Sequence, residues 1–258
     1  MNTAATLTKT IGIVGGVGPF AGLDLQRKIL EETVAQQDQD HLAVIAISQP
    51  APIPDRTQFL LGETAVNPAY PITQQLLTLE RAGATVAAIP CNTAHATPIF
   101  SVIQAELAKR YSTLTLLHMM QEVAHFMQTQ LPQVQRVGVL STTGTYRARI
   151  YPAALEPAGF TVLVPDEVQQ TTVIHPAIYD PLYGIKACGT ATARARADLL
   201  TGFATLRQQG AQAIILGCTE IPLALAEPEI DGIPLIDATR VLARALVREV
   251  DAARLRVL

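Results

Sequence analysis

The chain repeats itself. Ile11-Gly12-Ile13-Val14, followed by Gly18, is echoed by Val137-Gly138-Val139-Leu140, followed by Gly144, and both glycine pairs are 126 residues apart. Later in each half, Gly83-Ala84 leads to Cys91 and Gly210-Ala211 leads to Cys218, all three positions displaced by 127. The chain has 258 residues, so both offsets lie close to half its length. Two copies of one folding unit is the economical reading, and it excludes most single-sheet and single-bundle folds.

The unit itself is legible from periodicity. Ile11–Val14, Ala43–Ile47, Val86–Ile89, Val137–Leu140, Thr161–Val164 and Ala213–Leu216 are short continuous apolar runs, the pattern of parallel strands covered on both faces. Between them, amphipathic stretches predict helices over Pro19–Ala35, Pro68–Ala82, Pro98–Lys109 (with Thr97 as cap), Tyr146–Ala158, Ala191–Gln209 and Thr239–Arg254. The expected class is α/β: two similar parallel-sheet lobes related by a pseudo-twofold, with a site in the cleft between them. The first lobe is expected over residues 1–110 plus 229–258 and the second over 111–228.

Composition narrows the function. Lys+Arg number 19 against 22 Asp+Glu, a net charge of −3, so no basic surface for nucleic acid or an anionic membrane is expected. Aromatics are 5% with no Trp, which leaves few platforms for stacking bases. No apolar run approaches the roughly 20 residues of a membrane span. The N-terminal MNTAATLTKT lacks the apolar core of a signal peptide. Three cysteines make a disulfide scaffold improbable and a reducing cytoplasm the expected setting.

Two of those cysteines occupy matched positions. Cys91 and Cys218 each stand just beyond the end of a predicted strand, where open parallel sheets bind ligands. Across a pseudo-twofold the two thiols face one another. Inverting a carbon centre by proton transfer needs a base on one face and an acid on the other. A thiol, with an ordinary pKa of about 8.5, can serve as either. The residues that follow, Asn92-Thr93-Ala94-His95 and Thr219-Glu220, supply short polar groups at turns suited to a carboxylate. Glu220 reads equally as an orienting or deprotonating partner of Cys218 and as a helix cap. His95 reads as a packing residue that can help hold a Cys91 thiolate. Cys188, without a counterpart in the repeat, reads as packing, and the histidines show no metal-ligand spacing.

The motifs Ile-Gly-Ile-Val-Gly-Gly-Val-Gly-Pro at 11–19, Cys-Asn-Thr at 91–93 and Gly-Cys-Thr-Glu at 217–220 resemble those of the cofactor-independent aspartate/glutamate racemase family, over nearly the whole chain. The resemblance implies racemisation without pyridoxal phosphate or metal, with Cys91 and Cys218 as the two bases, and commonly a homodimer. The aspartate branch is the nearer. Gly15-Gly16 and Glu220 stand where glutamate racemases usually carry Asp-Ser and His. Ile53-Pro54-Asp55-Arg56-Thr57 resembles the strap whose Arg binds a substrate carboxylate, and Tyr183-Gly184-Ile185-Lys186 the segment with the second cation. Arg56 suits bidentate carboxylate recognition, and Lys186 acts as a point charge. The hydroxyls of the second glycine turn are matched by Thr142 and Thr143. Asn92, Thr93, Thr142, Thr143 and Thr219 are thus the expected holders of the α-carboxylate and ammonium of an amino dicarboxylate. The loop Gln49–Asn67 is the expected lid. Val17 departs from the Met common at that position in aspartate racemases.

Three rival readings remain at this point. Gly16-Val17-Gly18-Pro19-Phe20-Ala21 fits a loose dinucleotide fingerprint, but the second strand runs into Ser48-Gln49-Pro50 with no acidic residue for a ribose. A maleate isomerase shares the lobes and the cysteines, while a related decarboxylase keeps only the second cysteine. A non-catalytic dicarboxylate-binding protein needs the cleft but not two thiols.

Overall fold

A computed structural model describes residues 9–258, so most of the polar N-terminal stretch lies outside the described residues. Four parallel strands form the first sheet in the order β2-β1-β3-β4, with β1 at Ile11–Val14, β2 at Val44–Ile47, β3 at Val86–Ala88 and β4 at Thr115–Leu116. The second sheet runs β6-β5-β7-β9-β8, from β5 at Arg136–Ser141, β6 at Thr161–Leu163, β7 at Ala213–Gly217, β8 at Glu229–Ile230 and β9 at Ile233–Asp237. Its strands are parallel except β8, which pairs antiparallel with β9. Omitting β8, the second strand order repeats the first, as the internal repeat predicts.

The repeat extends to packing. A Cβ on Gly12 would meet Leu79 Cβ at 3.3 Å, and one on Gly138 would meet Leu206 Cβ at 3.1 Å. Both leucines lie on the helix that precedes the third strand of their sheet, Ala69–Arg81 and Ala193–Gln208. Glycine at the middle of the first strand thus lets that helix settle directly on the sheet in each lobe.

Each lobe has its own outer core, Val14, Ile72, Leu76 and Ile99 in the first and Leu140, Leu199, Phe203 and Ile214 in the second. A third core is shared. It joins Ile11, Ile13 and Val86 of the first sheet to Val137, Val139 and Ile215 of the second, through the helices Met119–Gln130 and Ala238–Asp251. The lobes are therefore fused along their inner faces.

The sheets extend past the lobe limits expected at 110/111 and 228/229. The first sheet continues to Leu116 and the second to Asp237. β4 is two residues long, too short for a periodicity signal, and β9 reads in sequence as part of the closing segment. Helix Ala238–Asp251 does pack on Pro19–Glu32, on the side of the first lobe. Other differences are local. The helix expected over Tyr146–Ala158 is two helices, Thr143–Arg147 and Ile150–Leu155, because Arg149 turns left-handed at φ 49° between them. Thr97 starts its helix without capping it. Helical residues from Glu167 to Tyr179, with a wide turn over Gln170–Ile174, had no sequence signal.

Candidate active site

The two cysteine turns leave the carboxyl ends of equivalent strands, β3 and β7. After β3, Cys91 is extended and Asn92–His95 coil into one tight turn. His95 closes that turn by donating from Nδ1 to the Cys91 carbonyl at 2.9 Å. Burial, aided by His118, pushes the His95 imidazole down to about 3, so it is neutral at ordinary pH. After β7, Cys218 is fully buried ahead of helix Ile221–Ala224. Its thiol donates to Glu220 Oε2 at 2.9 Å, and the Thr219 hydroxyl donates to the same oxygen at 3.1 Å. Glu220 Oε1 accepts from Lys186 Nζ at 2.5 Å.

These contacts set the charges. Burial raises the Cys218 thiol well above its usual value, and the Glu220 carboxylate adds to the rise, so the proton stays on sulfur. Burial would raise Glu220 too, but Lys186 and the Cys218 thiol more than offset it and hold the carboxyl below its usual range. Lys186 is raised for the converse reason: burial opposes its charge, while Glu220 outweighs the loss.

Arg56 starts a short helix, Arg56–Leu60, inside the expected lid, with Asp55 as its cap. Its guanidinium donates to the carbonyls of Val17 at 2.5 Å and Pro54 at 3.2 Å. Burial works against its charge, but Cys91 and Asp55 restore it and leave the pKa raised. The strap around it docks on the second lobe. Tyr179 donates to Asp55 Oδ2 at 3.4 Å, and Thr57 packs so closely on Gly144 that a Cβ there would lie 2.7 Å from Thr57 Oγ1.

Of the residues expected from sequence, Cys91, Asn92, Thr93 and Arg56 from the first lobe and Thr142, Lys186, Cys218 and Thr219 from the second line one inner cavity. Its volume of ≈ 10 Å³ leaves room for about one water. A vestibule of ≈ 430 Å³, walled by Phe20, Asp55 and Leu223, adjoins it. Val17, Arg56, Lys186 and Glu220 line both and stand between them. Thr93 and Thr142 bridge the lobes through Thr145, at 3.0 and 3.2 Å. Thr143 is not among the lining residues. Its backbone N–H donates to His175 Nδ1 at 3.4 Å, and its hydroxyl is buried without a partner.

Sequence reasoning missed Tyr179 and left Glu220 undecided. Glu220 had a signal, two residues after a cysteine. Tyr179 had none, since its partners Asp55 and Thr57 are more than 120 residues away. Among the described residues, no cluster of three His, Cys, Asp or Glu side chains is arranged to hold a metal ion.

Comparison with known proteins gives the family. The structure matches the aspartate racemase of Picrophilus torridus with a TM-score of 0.76 and 26% identity, covering 94% of each chain. The glutamate racemase of Ectopseudomonas mendocina is 30% identical over 240 residues, 90% of this chain and 78% of that one. The glutamate racemase of Pseudomonas paraeruginosa is 34% identical over 173 residues, 66% of this chain and 59% of that one. The family described as Asp/Glu/Hydantoin racemase matches residues 14–246, and the chain belongs to that family.

Proposed function

We propose that the protein racemises aspartate without a cofactor, using Cys91 and Cys218 as the two acid/base groups. The observation that carries this reading is the single cavity lined by both cysteines together with two partly buried cations, Arg56 and Lys186. One cysteine without the other, or both without the cations, would serve an amino dicarboxylate poorly.

The charges assign starting roles. Cys91 lies beside the Arg56 guanidinium and is the sulfur assigned to take the α-proton. Cys218 carries its proton toward Glu220 and is the acid that delivers to the opposite face. After one turnover the roles are exchanged. Cys91 then carries the proton and Cys218 is the thiolate, held near Lys186, which is the starting state for the reverse direction. Arg56 and Lys186 hold carboxylates, and Asn92, Thr93, Thr142 and Thr219 donate to the α-carboxylate as enolate-like charge develops on it. Thr143 supports the turn that presents Thr142. Arg56 and Lys186 must swing aside for a substrate to pass from the vestibule, then return over it. The strap Gln49–Asn67 thus serves as the lid, excluding water once closed.

A homodimer and a cytoplasmic setting belong to the same proposal. The exposed apolar side chains Phe20, Leu23 and Leu30 along helix Pro19–Glu32, with Val34 just beyond its end, support the former. No helix among the described residues is long and apolar enough to cross a membrane.

The test is incubation of L-aspartate in D₂O with chiral analysis of the product. D-aspartate should accumulate with deuterium at Cα, and glutamate should turn over at least about tenfold more slowly, the scale of one misfitted methylene. Retention of all the original hydrogen in inverted product defeats the thiol route. A preference for glutamate would support the second reading, glutamate racemisation, which the likeness to glutamate racemases favours.

A further inference from the structure

Tyr151 takes no part in the chemistry above, yet it touches both cysteine turns. It lies in helix Ile150–Leu155 of the second lobe and is only 1% exposed. Its hydroxyl crosses to the first lobe and donates to Asn92 Oδ1 at 2.5 Å, one residue beyond Cys91. Its ring lies against Gly217, one residue before Cys218: a Cβ on Gly217 would stand 2.8 Å from Tyr151 Cε2. A single side chain therefore spans from one sulfur-bearing turn to the other.

The hydroxyl also decides which end of the Asn92 amide faces the cavity. Burial, with Cys218 and Asp237 adding to it, raises the phenol well above its usual value, so the group remains an O–H donor. A donor engages the amide oxygen and leaves the NH₂ on the other side. Asn92 Nδ2 is buried without any partner, although Asn92 lines the cavity and is 2% exposed. A buried donor left unmade is costly, and an acceptor on a ligand would relieve it. Turning the amide over would take away the oxygen to which the buried phenol donates and would set the amide oxygen toward an incoming carboxylate, which is unfavourable twice.

We infer that Tyr151 is a positioning residue: it ties the two cysteine turns together and holds the Asn92 amide with Nδ2 aimed at the carboxylate of the bound amino acid. The inference rests on the racemase reading for its kinetic consequence, but only on a carboxylate ligand for its binding consequence. An N–H fixed in this way strengthens as charge builds on the carboxylate during deprotonation, so its orientation acts on kcat more than on KM.

The test is a double-mutant cycle with Tyr151→Phe and Asn92→Ala, read in two ways. Tyr151→Phe keeps the ring against Gly217 and removes only the hydroxyl. It should lower kcat for aspartate racemisation by about 10–30-fold with KM changed less than about threefold, while Asn92→Ala should cost about 10²-fold, the scale of one lost oxyanion donor. In the Asn92→Ala background, Tyr151→Phe should add less than about twofold, because its partner is gone. Full multiplication of the two effects, or a Tyr151→Phe enzyme with wild-type kcat, overturns the inference. The second readout is the affinity for malonate, a dicarboxylate with no chiral carbon, by calorimetry. It should weaken in each single variant and no further in the double. If the wild-type protein binds malonate with this pattern but racemises nothing, the functional reading falls and the positioning role stands. If malonate does not bind the wild type, the positioning role falls. Should Asn92→Ala not fold, [¹⁵N]asparagine labelling gives a direct view, since the chain has three asparagines, Asn2, Asn67 and Asn92. Malonate should shift the Asn92 side-chain amide in the wild type and markedly less in Tyr151→Phe, and equal shifts overturn the inference.

Discussion

Cys91 and Cys218 are equivalent in the repeat but not in environment. Cys91 is partly exposed beside a cation, whereas Cys218 is buried and bonded to a carboxylate. Serine at either position should reduce racemisation by about 10³-fold, within the range general acid–base groups supply; near-normal turnover by either variant in a chiral assay would defeat the two-base assignment. Glu220→Gln leaves the partly buried Lys186 without its counter-charge. Urea unfolding should show a loss of about 1–2 kcal/mol, below that for a fully buried pair because Lys186 keeps contact with solvent. His95 yields a pH prediction. Its folded value of about 3 lies below the ordinary 6.5, so the unfolded chain binds the extra proton first. Its contribution to stability is complete above pH 6.5 and is lost progressively as pH falls toward 3, at up to ~1.4 kcal/mol per pH unit. His95→Gln should flatten the stability profile between pH 6 and 4, measured by urea midpoints. At this scale the sequence was informative where residue type and spacing coincide, as in Cys-Asn-Thr and Gly-Cys-Thr-Glu. It was silent on Tyr151 and Tyr179, whose partners arrive from the other lobe.

Elements explain how those residues meet. Six of the eight parallel strands were readable because each is a continuous apolar run, and Ile11–Val14 falls where periodicity put it. β4 and β8, at two residues each, are too short to stand out, and the break at Arg149 depends on a backbone turn that no composition signal marks. In the proposed mechanism the strap is the element that admits substrate. Its Thr57 occupies the space that any side chain at Gly144 would need. Gly144→Ala should therefore push the strap off the second lobe, raising KM for aspartate by about tenfold while leaving the thermal midpoint within a few degrees. An unchanged KM would show that strap docking does not limit binding.

On the scale of the whole molecule, the shared inner core makes the two lobes one folding unit. Residues from both sheets and from helices Met119–Gln130 and Ala238–Asp251 pack in a single cluster. Urea unfolding followed by circular dichroism and by a fluorescent label at Cys188, the exposed cysteine in the second lobe, should give coincident two-state transitions. Separate midpoints would mean that the lobes unfold independently. The sequence alone determined the α/β class, the duplication, the paired cysteines and the cations expected to accompany them, because each of these is a local pattern repeated at a fixed interval. Where the chain crosses between sheets, which residues wall the cavity, and the pairing of Glu220 with Lys186 were decided by tertiary structure. Those features depend on atoms distant in sequence brought within bonding distance in a dry interior, where burial and neighbouring charge, not residue type, set what each group can do.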